Sequence, residues 1–166
     1  GETPSGDITK IDERDVEPHD ILVAGFPCQP FSVAGVTKNN ALGRKHGFDH
    51  ATQGNLFFDI VRFIKYHEPK AFLLENVKNL KGHDGGRTFR VIRDTLKNEL
   101  GYDVHWKIID SRGMVPQHRE RTYIVGYRDK QNFTFPDVTL NGTRPSLKSL
   151  LEENPEKKYW LSAHLW

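Results

Sequence analysis

The chain has 166 residues, of which 36% are hydrophobic and 28% charged, so it is long enough to fold as one domain with a hydrophobic core. A single cysteine excludes an internal disulfide, and no apolar run approaches the roughly 20 residues of a membrane-spanning helix. We therefore expect an intracellular protein with no membrane partner. The net charge of +2, from 24 basic and 22 acidic residues, is too balanced to identify a nucleic-acid-binding protein by bulk charge.

The first apolar run of the chain is Ile21-Leu22-Val23-Ala24, which follows a polar opening rich in turn residues. This run predicts a buried strand of a parallel sheet. Gly25 and Pro27 end the strand and leave Cys28 in a stiff turn at its carboxyl end, where open α/β sheets bind ligands. In that position Cys28 is either a nucleophile or a small buried hydrophobic residue, and this stretch alone is compatible with both.

A polar segment with several glycines follows, over residues 33–54. It is about as long as a connection inside a compact domain becomes, and such loops are functional or disordered. We interpret it as a mobile basic loop that closes over a polyanion, the alternative being a solvated surface loop. Its basic residues are Lys38, Arg44, Lys45, His46 and His50. The two histidines have no further ligands nearby, so we expect no metal site.

Helical spacing of apolar residues over 55–67 predicts an amphipathic helix, and the apolar run 71–74 predicts a second buried strand that ends at Glu75. Strand, helix and strand form a βαβ unit, whose right-handed crossover brings both strand ends to one edge of the sheet. Glu75 and Cys28 are then expected to face one pocket. The alternative for Glu75 is a capping or salt-bridging acid.

Residues 87–100 predict a second helix that stops at Gly101, and the alternation over 102–109 predicts a strand. In the extended stretch 115–126, Arg119 and Arg121 are two residues apart and are expected to point the same way. Two guanidinium groups there suit a phosphate, a carboxylate or a base edge, unless they are simply solvated charges.

The sequence pattern changes in the last part of the chain, where turn residues and scattered aromatic residues over 133–143 precede a short helix expected over 146–153. The chain then reaches an apolar end at residues 160–166, so we expect a further part of the protein or a partner to cover Trp160, Leu165 and Trp166.

Three motifs carry a family resemblance. They are Gly-Phe-Pro-Cys-Gln-Pro-Phe-Ser at 25–32, Glu-Asn-Val at 75–77 and Gln-His-Arg-Glu-Arg at 117–121. In this order they resemble the catalytic motifs of the C5-cytosine DNA methyltransferases. The stretches 6–9 and 54–59 are also similar to that family, so the resemblance covers nearly all of residues 6–127. It implies an α/β, Rossmann-like methyltransferase core that uses S-adenosylmethionine and acts on a cytosine rotated out of double-stranded DNA.

The resemblance also implies the catalytic roles. Cys28 matches the thiolate that adds to carbon 6 of cytosine, so that carbon 5 can attack the methyl group. Glu75 matches the carboxylate that binds ring nitrogen 3 and the exocyclic amine. Arg119 and Arg121 match arginines that hold the cytosine carbonyl and the carboxylate, and Arg119 is a candidate for increasing the thiolate fraction of Cys28.

The family's binding positions are carried over in the same way. Asp7 and Ile8 match positions that contact the adenine of the cofactor, and Pro27 lies beside it. The basic loop matches the active-site loop that closes on DNA. The positions expected to contact the DNA substrate are Phe26, Gln29, Ser32, Arg44, Lys45, Asn76 and Val77.

The chain departs from the family at both ends. The glycine-rich motif that opens the cofactor site and the acidic residue that binds the ribose are expected before Gly1, and the target-recognition domain is expected after Trp166. We therefore expect an incomplete core, with a partial catalytic domain over 1–135 and the start of the connection to the target-recognition region over 136–166. The absent segments would belong to the same chain or to a second subunit.

Two alternatives stay open. One is a methyltransferase of the same fold that acts on transfer RNA, although Phe26 and Ser32 are more typical of the DNA branch. The other is a non-catalytic DNA-binding or regulatory partner that retains the fold. The family's restriction-modification branch favours a bacterial cytoplasm over a eukaryotic nucleus.

Overall fold

Four strands form the central sheet of the computed structural model, which describes residues 4–28, 56–137 and 146–165. They are β1 (Ile21–Gly25), β2 (Ala71–Val77), β3 (Asp103–Asp110) and β4 (Glu120–Tyr127). Their order across the sheet is β1-β2-β4-β3. The strands that the sequence predicts are therefore confirmed, with ends that differ by a few residues.

The pairing of the strands makes the sheet mixed. Strands β1 and β2 are parallel, with Gly25 opposite Glu75 at their carboxyl ends, as the βαβ interpretation predicts. Strand β4 runs antiparallel to β2 and places Arg121 opposite Val77. The amino end of β4 therefore lies beside the carboxyl end of β2, so that residues from both strands reach the same edge.

Two helices supply the layer that packs on the sheet. Helix α1 spans Leu56–His67 and buries five apolar residues, among them Phe57 and Ile64. Helix α2 spans Arg87–Asp94 and continues into a π-helical turn, Thr95–Glu99. Gly101 then has a φ of 77°, a left-handed conformation that glycine adopts readily, and the chain enters β3. Both predicted helices are confirmed, except that residue 55 lies outside the described residues.

The core lies between these helices and one face of the sheet. Phe72, Leu74 and Ile124 of the sheet are packed with residues of both helices. The ring of Phe72 presses so closely on β4 that a Cβ atom on Gly126 would lie 2.1 Å from it. Position 126 therefore requires glycine for packing, and not for an unusual backbone conformation.

Strand β1 is not buried on both faces, which corrects the prediction made from its apolar sequence. Leu22 and Ala24 pack against the core, whereas Ile21 and Val23 are 64% and 69% exposed. The physical reason is that β1 lies at the edge of the described sheet, and the described helices cover only one of its faces.

The chain divides into two compact units, residues 1–109 with 120–135, and residues 110–119 with 136–166. In the second unit the helix expected over 146–153 is a single 3-10 turn, Leu147–Leu150, which Ser146 caps. Trp160 is 65% exposed, and the side chains of residues 165 and 166 are outside the description. The functional assignment of 1–135 and 136–166 stays a prediction. In the described ranges no helix is long and apolar enough to cross a membrane.

Candidate active site

The carboxyl ends of β1 and β2 are joined by a side chain. Asn76 donates a hydrogen bond from Nδ2 to the carbonyl oxygen of Phe26, at 2.8 Å, and its Oδ1 accepts one from the backbone N–H of Val77, also at 2.8 Å. The residue is only 2% exposed. Both polar ends of the Asn76 amide are thus bound to backbone groups in the protein interior. Asn76, expected to contact the substrate, instead fixes the chain that leaves β1.

Phe26 holds the same turn from the other side. Its side chain is buried, and its ring centroid lies 5.4 Å from that of Phe57 in α1. The buried ring of Phe26 therefore anchors the turn, and a contact of Phe26 with the substrate stays a prediction. The next residue, Pro27, is exposed, as a cofactor contact requires.

Cys28 lies two residues beyond this anchor. It is partly buried and packs against the core, and this burial raises the pKa of its thiol. Partial burial is compatible with both roles left open by the sequence, since a partly buried thiol after the end of a strand is still accessible. A raised pKa favours the thiol over the nucleophilic thiolate, so a nucleophilic role requires a further group or a bound substrate to favour ionisation.

Glu75 is the carboxylate at this edge. Its Oε1 atom lies 2.9 Å from Nε of Arg121, and the two side chains are 38% and 21% exposed. Arg121 also donates from Nη1 to the carbonyl oxygen of Glu120, at 2.8 Å, so its guanidinium is oriented by an ion pair and a hydrogen bond. The salt-bridging role proposed as the alternative for Glu75 is real, and it leaves the carboxylate accessible.

The two arginines do not form the same-side pair on a strand that the sequence predicted. Arg121 lies in β4, whereas Arg119 precedes the strand and belongs to the second unit. The period of two therefore does not apply to Arg119, and its role toward Cys28 or a substrate stays a prediction.

Asp7 and Ile8 lie in the opening segment, before β1. The Asp7 Oδ1 atom accepts from the backbone N–H and the hydroxyl of Thr9, at 3.0 and 2.9 Å, and these bonds hold the pKa of the carboxyl below its usual value. Ile8 lines an apolar pocket of about 400 Å³ together with residues of β1 and α1. The Asp7 carboxylate therefore belongs to the residue that directly precedes a lining residue of this pocket, and Asp7 itself does not line it.

Other predicted residues fall into two groups. Val77 is partly exposed at the end of β2. Gln29, Ser32, Arg44 and Lys45, with the whole basic loop, lie outside the described residues. Within the described ranges, no group of three histidine, cysteine or acidic residues has an arrangement that could hold a metal ion.

Comparison with known proteins identifies the family. The family model of C-5 cytosine-specific DNA methylases matches residues 1–166, the whole chain. The chain belongs to this family. A DNA-cytosine methyltransferase of Escherichia coli K12 is 52% identical over 163 residues, which cover 89% of this chain and 34% of that protein. The Type II methyltransferase M.SsoII of Shigella sonnei is 51% identical over 172 residues, covering all of this chain and 42% of that protein.

Solved structures show the same fold. The Dnmt2 methyltransferase of S. pombe has a TM-score of 0.60 and 17% identity, and the alignment covers 96% of this chain and 48% of that one. The Entamoeba histolytica methyltransferase EhMeth has a TM-score of 0.62 and also 17% identity, and the alignment covers 99% of this chain and 49% of that one. The predicted family and fold class are thereby confirmed. The chain spans between a third and a half of the length of these proteins.

Two contacts in this chain were missed by sequence reasoning. Lys78 Nζ lies 2.7 Å from Glu120 Oε2, and the Thr122 hydroxyl donates to the carbonyl oxygen of Val77 at 3.2 Å. Both join the end of β2 to the beginning of β4, and so they support the pairing that brings Arg121 to Glu75. The signal in the sequence is weak. Lys78 directly follows the Glu-Asn-Val motif, Glu120 lies within the Gln-His-Arg-Glu-Arg motif and carries the opposite charge, and only the strand register shows that the two meet.

Proposed function

We propose that this chain is part of a DNA methyltransferase that transfers a methyl group to carbon 5 of a cytosine flipped out of double-stranded DNA. The observation that carries the proposal is the joining of two motifs at one edge of the sheet. Gly25 is opposite Glu75, and Asn76 is bonded to the carbonyl of Phe26, so the Cys28 turn and an accessible carboxylate are held by the same pair of strands.

In the proposed mechanism, the Cys28 thiolate forms a bond to carbon 6 of the cytosine, and electron density moves to carbon 5. Carbon 5 then takes the methyl group. A base or water accepts the proton from carbon 5, and the bond from carbon 6 to sulfur breaks, which returns the Cys28 thiolate. Glu75 shares a proton with ring nitrogen 3 and accepts a hydrogen bond from the exocyclic amine, so that the negative charge pushed onto the ring during addition is neutralised at nitrogen 3. Arg121 holds the Glu75 carboxylate in place through its 2.9 Å contact with Oε1. We propose Arg119 as a further contact to the cytosine carbonyl.

The described residues fit part of a site for S-adenosylmethionine, which supplies the methyl group when bound. Asp7 offers Oδ2, whose ion pair with Lys10 is 4.0 Å long, as an acceptor for the adenine amine. Ile8 presents apolar surface at the pocket of about 400 Å³, which suits a purine ring. Pro27 is exposed after β1 and is proposed as a third contact.

Double-stranded DNA is the proposed partner, with Arg44, Lys45, Gln29 and Ser32 among its contacts and Val77 at the end of β2. Because the relatives are longer, we propose that other segments supply a glycine-rich cofactor loop and the target-recognition region, in the same chain or in a second polypeptide. The bacterial sources of these relatives support a bacterial cytoplasm as the place of action.

Covalent capture tests this function in the longest natural chain that contains the sequence. Fluorine at carbon 5 cannot leave as the proton does, so 5-fluorocytosine DNA should trap the Cys28 adduct after methyl transfer. We expect a band that survives denaturation and maps to the peptide with Cys28. Trapping by transfer RNA but not by DNA would assign the RNA substrate, and no adduct with either would assign a non-catalytic partner.

A further prediction concerns the Asn76 amide. In Asn76→Ala the Phe26 carbonyl and the Val77 N–H lose their partner in a buried site, which should cost about 1–3 kcal/mol of stability. The Cys28 turn should also shift, and we expect kcat to fall by about 100-fold because small misplacements of reacting groups have effects of that size. Thermal melting and single-turnover methyl incorporation measure the two effects.

Asn79→Ala is the matched control, because Asn79 is an exposed asparagine in the next turn of the chain. It should retain wild-type kcat within about twofold. Asn76→Asp is more selective, since it keeps an acceptor for Val77 but puts an oxygen opposite the Phe26 carbonyl. Unchanged kcat in both Asn76 variants would show that the amide does not position the turn.

A further inference from the structure

Gly25 lies directly beside the Glu75 carboxylate. The two residues are paired in the parallel register, so a side chain at position 25 would emerge on the same face of the sheet as Glu75. A Cβ atom built there would lie 3.4 Å from Glu75 Oε2 and 3.9 Å from its carbonyl oxygen. Gly25 is not among the glycines with positive φ, so its backbone conformation does not explain why this residue is glycine.

The two oxygens of the Glu75 carboxylate have different surroundings. Oε1 contacts Arg121 Nε at 2.9 Å, whereas Oε2 is the oxygen that faces the space beside Gly25. Among the described residues, Arg121 is the one ionic partner of this carboxylate. Oε1 is therefore used to hold the side chain, and Oε2 remains for a ligand that approaches past Gly25.

We propose that Gly25 is a specificity-determining residue, whose missing side chain admits the edge of a pyrimidine ring to Oε2 of Glu75. This inference rests on the proposed function, in which Glu75 binds the ring nitrogen and amine of cytosine. An alanine Cβ would only touch Oε2, because 3.4 Å is the limit of ordinary van der Waals contact. The two γ-carbons of valine would extend about 1.5 Å further into the space that the ring has to enter.

The expected effect on stability separates this role from a structural one. Gly25 is exposed and lies in a strand, where glycine is unfavourable and valine favourable. Gly25→Val should therefore leave the melting temperature unchanged or raise it while activity falls. Gly126 has the opposite character, since its missing Cβ would lie 2.1 Å from the Phe72 ring, and substitution there should destabilise the fold.

The experiment compares Gly25→Ala, Gly25→Val and Gly82→Ala in the longest natural chain that contains the sequence. Gly82→Ala is the control, because its Cβ would meet only the Asn79 carbonyl oxygen at 3.9 Å and its φ of −91° suits alanine. We expect kcat/KM for DNA methylation to fall by about tenfold in Gly25→Ala and by more than about 100-fold in Gly25→Val. Affinity for S-adenosylmethionine and the melting temperature should not fall, and Gly82→Ala should behave as wild type.

Two results would overturn the inference. One is a Gly25→Val protein whose kcat/KM stays within about threefold of wild type. The other is a loss of activity that comes with a lower melting temperature or weaker binding of S-adenosylmethionine, because it would mean that Gly25 is structural. Glu75→Gln, measured beside these variants, distinguishes failure of the proposed function from failure of the inference about Gly25. Wild-type rate in Glu75→Gln would refute the proposed function, whereas a defect there with a fully active Gly25→Val refutes only the inference.

Discussion

Replacing Glu75 with glutamine should lower the rate of methyl transfer by about two to four decades while the affinity for S-adenosylmethionine changes little. The amide keeps the shape of the side chain but removes the charge that stabilises the protonated ring nitrogen during addition. It also replaces the anionic partner of Arg121, whose Nε lies 2.9 Å from Oε1, so the side chain would be held less firmly. Single-turnover methyl incorporation and equilibrium binding of the cofactor measure the two quantities separately.

Asp20→Asn is a suitable control for this variant. Asp20 is an acid that pairs with Lys70 at 3.0 Å just before β1, and both side chains are exposed. An exposed ion pair contributes little to stability, so this variant should keep the wild-type rate within about twofold. If Glu75→Gln instead lost rate and cofactor affinity in equal measure, Glu75 would have a structural role and not a catalytic one.

The place of the site was predictable because it depends on local periodicity and on one rule of topology. Alternation and apolar runs identify β1 and β2, the 3.6-residue spacing identifies α1, and the handedness of the crossover brings both strand ends to one edge. The register then confirms Gly25 opposite Glu75. Each of these steps uses information contained in neighbouring residues.

The contacts within the site were not predictable in this way, because they join segments that are far apart in the sequence. The Asn76 amide reaches a carbonyl 50 residues earlier, and Lys78 pairs with an acid 42 residues later. The first contact depends on the parallel register of β1 and β2 and the second on the antiparallel register of β2 and β4, and the sequence pattern specifies neither register. For the same reason Asn76 was expected at the substrate, although burial gives it a positioning role.

The exposed face of β1 has a different cause. A run of four aliphatic residues predicts a strand that is covered on both faces, but the pattern cannot say which neighbouring segments supply the cover. Ile21 and Val23 face away from the described helices, and so they are exposed. Apolar periodicity predicts how a segment prefers to be buried, whereas the observed burial depends on what else is folded against it.

Cys28→Ser should abolish methyl transfer and leave the affinity for DNA within about tenfold of wild type, because the hydroxyl keeps the volume of the thiol but is almost never ionised near neutral pH.

The rate of the wild-type protein should in turn depend on pH. Burial raises the pKa of the Cys28 thiol, so the thiolate of the free enzyme is a minor species at neutral pH. The value of kcat/KM should therefore increase with pH from about 7 to 9, by up to tenfold for each unit below the pKa.

Methyl incorporation measured in the complete enzyme, together with the anisotropy of labelled duplex DNA, tests both parts of this prediction. Because kcat/KM reports the ionisation of the free enzyme and kcat that of the bound complex, the two profiles should differ if substrate binding favours the thiolate. A kcat profile shifted to lower pH than the kcat/KM profile would mean that substrate binding activates Cys28 and overcomes the effect of its partial burial. Turnover of Cys28→Ser above about one hundredth of the wild-type value would exclude Cys28 as the nucleophile, since a serine hydroxyl that is almost never ionised near neutral pH cannot form the adduct at that rate.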